Sequence, residues 1–202
     1  MNRVVILFET NMSEKPLNRL IVGVTGASGA TLAEQLLTLL KPLPIETHLV
    51  VTRAAKTTFS HEGEMDYDEF ISLADVVYDN DNLAAPIASG SFMSMGMVIV
   101  PCSMNSLAHI ALGLSDTLLT RAASVVLKEK RRLVLMPRET PFNSIYLNHM
   151  LTLSNMQAVI MPPIPAYYEK AQTVTDSVKS TLGRVLQLYG VQDYVAEWRG
   201  EL

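Results

Sequence analysis

The stretch from Leu20 to Leu36, LIVGVTGASGATLAEQL, constrains the fold of this chain more than any other. An apolar, β-branched run ends at Gly26, a helical pattern begins by Ala30, and only small residues lie between them. Glycines let a backbone turn sharply and approach a ligand closely, and the first amides of a helix are free to bind an anion, usually a phosphate. This pattern is typical of the first strand, turn and helix of a parallel β/α sheet.

The same turn lacks the dinucleotide fingerprint GxGxxG, which would need a glycine where the chain has Thr25 or Ala30. We therefore predict that it holds one mononucleotide phosphate rather than a pyrophosphate. A tight turn without a ligand is the alternative, because many loops between strands and helices are glycine-rich.

The composition predicts one domain that assembles with copies of itself. A chain of 202 residues can bury a full core. It is 49% hydrophobic and only 18% charged, yet no run approaches the ~20 apolar residues of a membrane span. We expect the excess apolar surface and the 11 methionines to be used at a subunit interface. The net charge of −4 argues against a nucleic-acid partner.

Both ends of the chain are predicted to lie outside the domain. Residues 1–18 contain a short apolar run broken by Glu9, which is too short for the apolar region of a signal peptide. We interpret them as an N-terminal extension, with Met12 as an alternative start, residues 19–191 as the domain and residues 192–202 as a C-terminal tail. The single cysteine, Cys102, rules out an internal disulfide and favours a reducing compartment, so we expect a cytoplasmic protein.

Apolar runs alternate with helical patterns along the rest of the chain. Strands are predicted at 46–52, 97–100, 133–136 and 158–161. Helices are predicted from Ala54, from Ser103, and over 116–130, 142–156 and 173–189. Residues 75–95 read as irregular. This alternation predicts an α/β fold of three layers, a parallel sheet with helices on both faces.

The carboxyl ends of parallel strands meet at one edge of a sheet, where such folds bind ligands. We expect that edge to collect Gly26–Gly29, Thr52, Cys102–Ser106, Arg138–Glu139 and the loop after Met161. Four hydroxyls there are candidates for phosphate binding: Ser28, Thr52, Ser103 and Ser106. Helix capping and turn formation are the alternative roles of each.

Charged side chains offer a second set of candidates. Arg121 and Lys128 share one face of a predicted helix, although two solvated cations are the alternative. Glu139 follows a buried strand beside Arg138, where a bound phosphate would let its carboxyl group donate a proton. A structural ion pair is the other interpretation of that pair. Arg184, in the last helix, has no partner that the sequence identifies.

Other reactive residues receive structural interpretations. A proline-stiffened loop, residues 162–168, ends in Tyr167 and Tyr168 and could fix a phenol over a site or pack on a neighbouring subunit. The four histidines lack metal-ligand spacing, so we predict no metal. Cys102 is predicted to be a buried strand-end residue rather than a nucleophile.

Five separated motifs resemble one known family. They are GASGA at 26–30, ASGS at 88–91, PCS at 101–103, TRAASVVLKEKRRLVLMPRETP at 120–141 and MPPIPAYY at 161–168. Together they resemble the UbiX-type flavin prenyltransferases, also called phenylacrylic acid decarboxylase-like flavoproteins. The resemblance implies a flavodoxin-like or Rossmann-like sheet and an FMN site shared between subunits of a homo-oligomer, typically a dodecamer.

The resemblance also implies a reaction and a product. A metal-independent transferase joins the dimethylallyl group of dimethylallyl monophosphate to N5 and C6 of reduced FMN. The resulting prenylated FMN serves a UbiD-type decarboxylase, in bacteria often in ubiquinone biosynthesis.

Carried over residue by residue, the resemblance assigns roles at this edge. It implies a catalytic set of Glu139, Ser28 and Lys128. It implies FMN binding by Gly26, Ala27, Ser28, Thr52, Ser103, Met104, Asn105, Ser106 and Arg138. It implies prenyl-phosphate binding by Ser89, Gly90, Arg121, Lys128, Tyr168 and Arg184.

Two other classes remain open at this point. An FMN-dependent cysteine decarboxylase could use the same fold, although the chain lacks an evident catalytic histidine near the second loop or a PASANT-like motif. A non-catalytic subunit that stores or delivers FMN would not need Glu139 and Lys128. Direct decarboxylation of phenolic acids is a third, less favoured activity.

Overall fold

A computed structural model describes residues 18–191. The domain predicted over residues 19–191 remains a prediction. The predicted tail and all but the last residue of the predicted extension lie outside the described residues, so both remain predictions.

The strands form one parallel sheet. They are β1 (Arg19–Val24), β2 (Glu46–Val51), β3 (Val76–Tyr78), β4 (Gly96–Cys102), β5 (Arg132–Pro137) and β6 (Val159–Ile160). Their order across the sheet is β3-β2-β1-β4-β5-β6, and every pair of neighbours is parallel. This is the doubly wound order of mononucleotide- and dinucleotide-binding folds, in which ligands bind where the chain changes direction between β1 and β4.

Seven α-helices connect or follow these strands in the described part of the chain. They are α1 (Ala30–Leu40), α2 (Arg53–Glu62), α3 (Tyr67–Ser72), α4 (Met104–Ala111), α5 (Leu118–Lys128), α6 (Ser144–Asn155) and α7 (Val174–Leu188). Two short 3₁₀ turns cover Pro86–Ala88 and Tyr167–Glu169. Side-chain caps begin most of the helices; for example, the Ser103 hydroxyl accepts a hydrogen bond from the Ser106 amide at 3.2 Å, as predicted.

Alternate residues of each strand face two separate cores, because side chains point to opposite faces of a sheet. Leu20, Val22 and Val98 pack against α1, α2 and α7 on one face. On the other face, Ile21, Met97 and Ile99 pack against α4, α5 and α6. Helices α5 and α7 therefore lie on opposite faces of the sheet, so their side chains are separated by it.

Two predictions were wrong in detail. Residues 75–95 are not wholly irregular, because β3 forms the edge of the sheet beside β2. Only three residues long and partly exposed, it leaves no clear periodic signal. Strand β4 also does not end before Pro101 but continues to Cys102. The pairing with β5 is irregular between Ile99 and Cys102, so the proline lies where the regular ladder is interrupted.

Candidate active site

Two positions of the turn after β1 require glycine, one because of close packing and one because of its backbone conformation. A Cβ added to Gly26 would lie 2.6 Å from Cβ of Ala54, because the first turn of α2 packs directly on it. Gly29 has φ 113°, a left-handed conformation that other residues rarely adopt. The small residues predicted to approach a ligand thus also let α2 pack against this edge.

Thr25 connects this turn by hydrogen bonds to the loop at the end of β4. Its hydroxyl, buried in the structure, donates to the Pro101 carbonyl at 2.8 Å and accepts from the Ser103 amide at 2.7 Å. Sequence reasoning missed this residue, since its partners lie more than 70 positions away and a threonine after a strand is unremarkable. The bridge sets the spacing between the two loops.

Replacing Thr25 with valine is expected to lower the free energy of unfolding by about 1–3 kcal/mol. Valine preserves the shape but leaves the Ser103 amide without its acceptor. Chemical denaturation measures the change, and Thr25→Ser, which keeps the hydroxyl, is the matched control. A valine variant as stable as the serine variant would show that the bridge contributes little.

A cleft of about 360 Å³ opens at the carboxyl ends of β1, β4 and β5. It is lined by Gly26, Ala27, Ser28, Ser103, Met104, Asn105, Arg138, Glu139 and Tyr146. It therefore brings together the predicted FMN-binding residues except Thr52 and Ser106, and it adds the predicted catalytic residue Glu139. Tyr146, on the first turn of α6, was not anticipated; an aromatic residue inside a helical pattern carries no signal that it faces a cleft.

The two FMN candidates outside the cleft lining form hydrogen bonds at the starts of helices. The Thr52 hydroxyl accepts from the Ala55 amide at 3.2 Å and begins α2. Ser106 is buried, and its hydroxyl accepts from that of Ser103 at 3.1 Å. The capping alternative is thus realised at Thr52, whereas Ser106 lies inside α4, where its amide donates to the cap residue Ser103.

Glu62, the last residue of α2, contacts the N-terminus of α1, and the sequence did not single it out. Its carboxylate accepts from the Gly29 amide at 2.7 Å and the Ala30 amide at 3.5 Å, and it is hydrogen-bonded to the Ser28 side chain. The helix terminus predicted for phosphate therefore already holds a carboxylate. Its contact depends on where the end of α2 lies in the fold, which local sequence does not show.

The surroundings of Glu62 favour its ionised form. Burial alone would raise the pKa of Glu62, but hydrogen bonds from Gly29, Ser28 and Ala30 and the charge of Arg138 lower it overall. A carboxylate with a lowered pKa stabilises the fold above its ordinary pKa, and that stabilisation is lost as the pH falls through the lowered value.

We expect Glu62→Gln to unfold at a lower temperature than the unchanged chain at pH 7. The neutral side-chain amide of glutamine interacts more weakly than a carboxylate with the N-terminus of α1. The difference should persist to about pH 5 and shrink below about pH 4, as the native carboxylate becomes protonated. Thermal unfolding at a series of pH values measures it. Glu64→Gln is the control, since Glu64 accepts from the Thr31 hydroxyl rather than from an amide of α1. A gap that is independent of pH would contradict the assignment.

A second group of predicted residues meets beside α5. The Arg121 Nε donates to the Ala88 carbonyl at 3.2 Å, next to Ser89. A Cβ built on Gly90 would lie 2.8 Å from the Lys128 Nζ, so the ammonium group is close to the turn. Lys128 also forms an ion pair with Glu129. Four of the six predicted prenyl-phosphate residues thus form one cluster.

The remaining two lie elsewhere in the chain. Arg184 is on α7, across the sheet from α5, and its Nη1 donates to the Gln187 side chain at 2.6 Å. Tyr168 follows β6 in a 3₁₀ turn and is 77% exposed. A single chain therefore does not place Arg184 with Arg121 and Lys128.

Cys102 is fully buried, and burial raises the pKa of its thiol to about 12, which confirms the prediction of a structural cysteine. A larger cleft of about 710 Å³ lies at the amino ends of β4, β5 and β6, but none of the predicted site residues lines it. Within residues 18–191, no cluster of three or more metal-ligating side chains occurs and no helix is long and apolar enough to span a membrane.

Fold and cleft together define a doubly wound α/β protein with a nucleotide-type site at its topological switch point. Comparison with known proteins is more specific: the Flavoprotein family model matches residues 9–193. The flavin prenyltransferase UbiX of Neisseria meningitidis is 46% identical over 185 residues, covering 91% of this chain and 98% of that protein. The Escherichia coli K12 UbiX is also 46% identical, over 91% of this chain and 100% of its own length. The chain belongs to the UbiX-type flavin prenyltransferases of the Flavoprotein family.

Solved structures agree with this assignment and with the predicted fold. AnUbiX, crystallised with FMN and dimethylallyl pyrophosphate, superposes with a TM-score of 0.89 at 42% identity, covering 92% of this chain and all of that one. A structure described as a dodecameric FMN-dependent UbiX-like decarboxylase from Escherichia coli O157:H7 has a TM-score of 0.87 at 46% identity, with 90% and 100% coverage. The peptidyl-cysteine decarboxylase EpiD, at 20% identity and a TM-score of 0.59, shares the fold alone.

Proposed function

We propose that this protein is a flavin prenyltransferase that joins the dimethylallyl group of dimethylallyl monophosphate to N5 and C6 of reduced FMN. The observation that carries the proposal is the convergence of Ser28, Arg138 and Glu139 on one cleft at the switch point. The relatives at 46% identity are named for this activity, and AnUbiX was crystallised with FMN and a dimethylallyl ester.

The cleft offers hydrogen-bond donors and a closely approachable backbone, both of which suit FMN. Gly26 and Ala27 leave the chain without bulky side chains, while Ser28 and Ser103 offer hydroxyls and Arg138 a positive charge. Because Glu62 occupies the amides of Gly29 and Ala30, Arg138 is the cleft's cation for an anionic ligand. Bound reduced FMN supplies the nitrogen and carbon that accept the dimethylallyl group.

The cluster beside α5 fits the prenyl phosphate. Breaking the bond between the allylic carbon and the ester oxygen leaves negative charge on the phosphate. Fixed cations stabilise that charge without having to reorganise. Lys128 and Arg121 provide such cations beside the Ser89–Gly90 turn, and the Ser89 hydroxyl adds a donor. Glu129 pairs with Lys128 in the structure, so a bound phosphate would take the place of that carboxylate.

The carboxylates in and beside the flavin cleft are the candidates for proton transfer. Prenyl transfer to N5 and C6 would release protons from the flavin, and the prenyl alkene and the departing phosphate would take protons up. Positioned carboxylates transfer such protons efficiently. Glu139 lines the cleft, and Glu62 is hydrogen-bonded to Ser28, which also lines it. We assign Glu139 as a proton carrier and Ser28 as the relay to Glu62.

A neighbouring subunit would complete the site. Arg184 and Tyr168 lie away from the α5 cluster in one chain, so they would reach the phosphate of a neighbour. Large apolar side chains of α6 remain exposed, namely Ile145, Leu147 and Leu151. Such exposure is typical of a surface that assembly covers. A relative is described as dodecameric, which supports a homododecamer here.

The product would act outside this protein. We place the chain in the cytoplasm as the supplier of prenylated FMN to a UbiD-type decarboxylase in ubiquinone biosynthesis. The UbiX name of its relatives supports that pathway.

To test the proposal, the protein is incubated with reduced FMN and dimethylallyl monophosphate, and the mass of the flavin is measured by mass spectrometry. We expect a gain of one five-carbon prenyl unit, with EDTA present throughout. Parallel incubation with the diphosphate determines which ester is preferred. Retention of unmodified FMN with both esters would instead support a non-catalytic FMN-binding subunit, and loss of activity in EDTA that magnesium restores would refute the metal-free reaction.

A further inference from the structure

The turn that carries Ser89 and Gly90 is held from one side by a guanidinium group outside the predicted site. Arg131 Nη2 donates to the Gly90 carbonyl at 2.7 Å, and Nη1 donates to the Phe92 carbonyl. One planar fork thus spans two carbonyls that are two residues apart. Guanidinium groups suit such paired acceptors, whereas a lysine ammonium acts as a single point charge.

The end of α5 aims Arg131 at the turn. Lys130 adopts a left-handed conformation with φ 54°, and the Arg131 amide donates to the Val126 carbonyl at 2.9 Å. This is the pattern of a Schellman motif, which stops a helix and turns the chain back beside it. Arg131 therefore extends from a rigid helix end rather than from a loop.

The turn is anchored at both sides, and Arg131 holds its middle together with the hydrogen bonds that the Ser89 hydroxyl forms with the amide and hydroxyl of Ser91. The Ala88 carbonyl accepts from Arg121, and the Phe92 ring lies 4.9 Å from the His48 ring and 4.9 Å from the Arg19 guanidinium carbon. Between these anchors, the Ser89 carbonyl accepts from the Phe92 amide at 3.2 Å, which closes a β-turn.

We propose that Arg131 is a positioning residue that holds the Ser89–Gly90 turn at the correct distance from Lys128 for binding of the prenyl phosphate. The Arg131 guanidinium uses its donors on the turn's carbonyls, so it acts through the turn rather than on the phosphate. Without it, the Gly90 backbone would no longer be fixed beside the Lys128 ammonium. This role rests on the proposed function, because it presupposes that the turn binds a phosphate.

The test compares Arg131→Gln and Arg131→Lys with two adjacent charge controls, Lys130→Asn and Arg132→Gln, in the full-length protein. Asparagine tolerates the left-handed conformation of Lys130, and both controls remove one exposed positive charge. Steady-state prenyl transfer gives KM for dimethylallyl monophosphate and kcat, FMN titration gives the flavin Kd, and hydrogen–deuterium exchange reports on the peptide covering residues 88–94.

For Arg131→Gln we expect a KM raised about tenfold with a smaller change in kcat, because a charge-assisted hydrogen bond to the turn is lost. The FMN Kd should not change, and hydrogen–deuterium exchange at 88–94 should accelerate. Arg131→Lys should have a KM between those of the unchanged protein and Arg131→Gln. Wild-type KM in Arg131→Lys, or an equal rise in either control, would show that charge alone matters and would overturn the proposal.

The exchange measurement separates this proposal from the proposed function. If the unchanged protein transfers no prenyl group, the function fails, and faster exchange in Arg131→Gln alone still supports the clamp on the turn. Unchanged exchange at 88–94 in that variant refutes the clamp whatever the activity shows.

Discussion

Glu139→Gln is expected to slow prenyl transfer by at least about 100-fold while FMN stays bound, since a positioned acid or base contributes 10²–10⁴-fold. Glutamine has nearly the same shape and can keep the contact in which a Glu139 oxygen accepts from the Thr140 amide at 2.9 Å. It cannot take up or release a proton. Single-turnover measurements on protein loaded with reduced FMN would record the rate of the chemical step.

The matched control is Glu169→Gln, an exposed carboxylate in the turn after β6. It removes one charge without touching the cleft that Glu139 lines. Turnover by Glu139→Gln at the rate of this control would remove Glu139 from the mechanism. Loss of FMN in Glu139→Gln would instead make it a residue of flavin binding.

Lys128→Ala is expected to lower kcat/KM for the prenyl phosphate by about 100-fold, the effect of removing one donor from a site where negative charge develops. The ammonium lies beside the Gly90 backbone and is paired with Glu129. Alanine would leave the departing phosphate without that cation. FMN affinity should be unchanged, because Lys128 does not line the cleft assigned to the flavin.

Lys128→Arg and Lys130→Asn make this result specific. The arginine variant keeps a cation near the turn and should retain more activity than the alanine variant. Lys130→Asn removes a charge two residues away and should behave like the unchanged protein. Equal loss of FMN binding and prenyl transfer in Lys128→Ala would contradict the division into a flavin cleft and a phosphate cluster.

Most of the fold was predictable because its signals are local. The apolar run before Gly26 and the helical pattern from Ala30 predicted β1 and α1, and the alternation that follows predicted a parallel sheet, which the six strands confirm. The same alternation placed the strand ends at one edge, so Ser28, Ser103, Arg138 and Glu139 were correctly expected to meet there. Strand β3 escaped prediction because an edge strand of three residues has too short a pattern.

The motifs also identified the family before the fold was known. GASGA, PCS and MPRETP lie at the carboxyl ends of the neighbouring strands β1, β4 and β5, and family comparison confirms the resemblance that they indicated. The roles assigned to individual residues through that resemblance stay predictions, to be tested by the variants described above.

Sequence by itself determined the layers of this protein and the edge where ligands bind, because strand and helix periodicity and short glycine-rich turns depend on neighbouring residues. The separated motifs indicated the family by resemblance. Only the tertiary structure decided which side chains hold that edge in shape. Thr25 bridges to Pro101 and Ser103, Glu62 reaches the amides that begin α1, and Arg131 grips the turn at Gly90. Each contact joins residues more than 30 positions apart, and a hydrogen bond needs its two atoms within about 3 Å, a distance that only the packing of helices on the sheet sets.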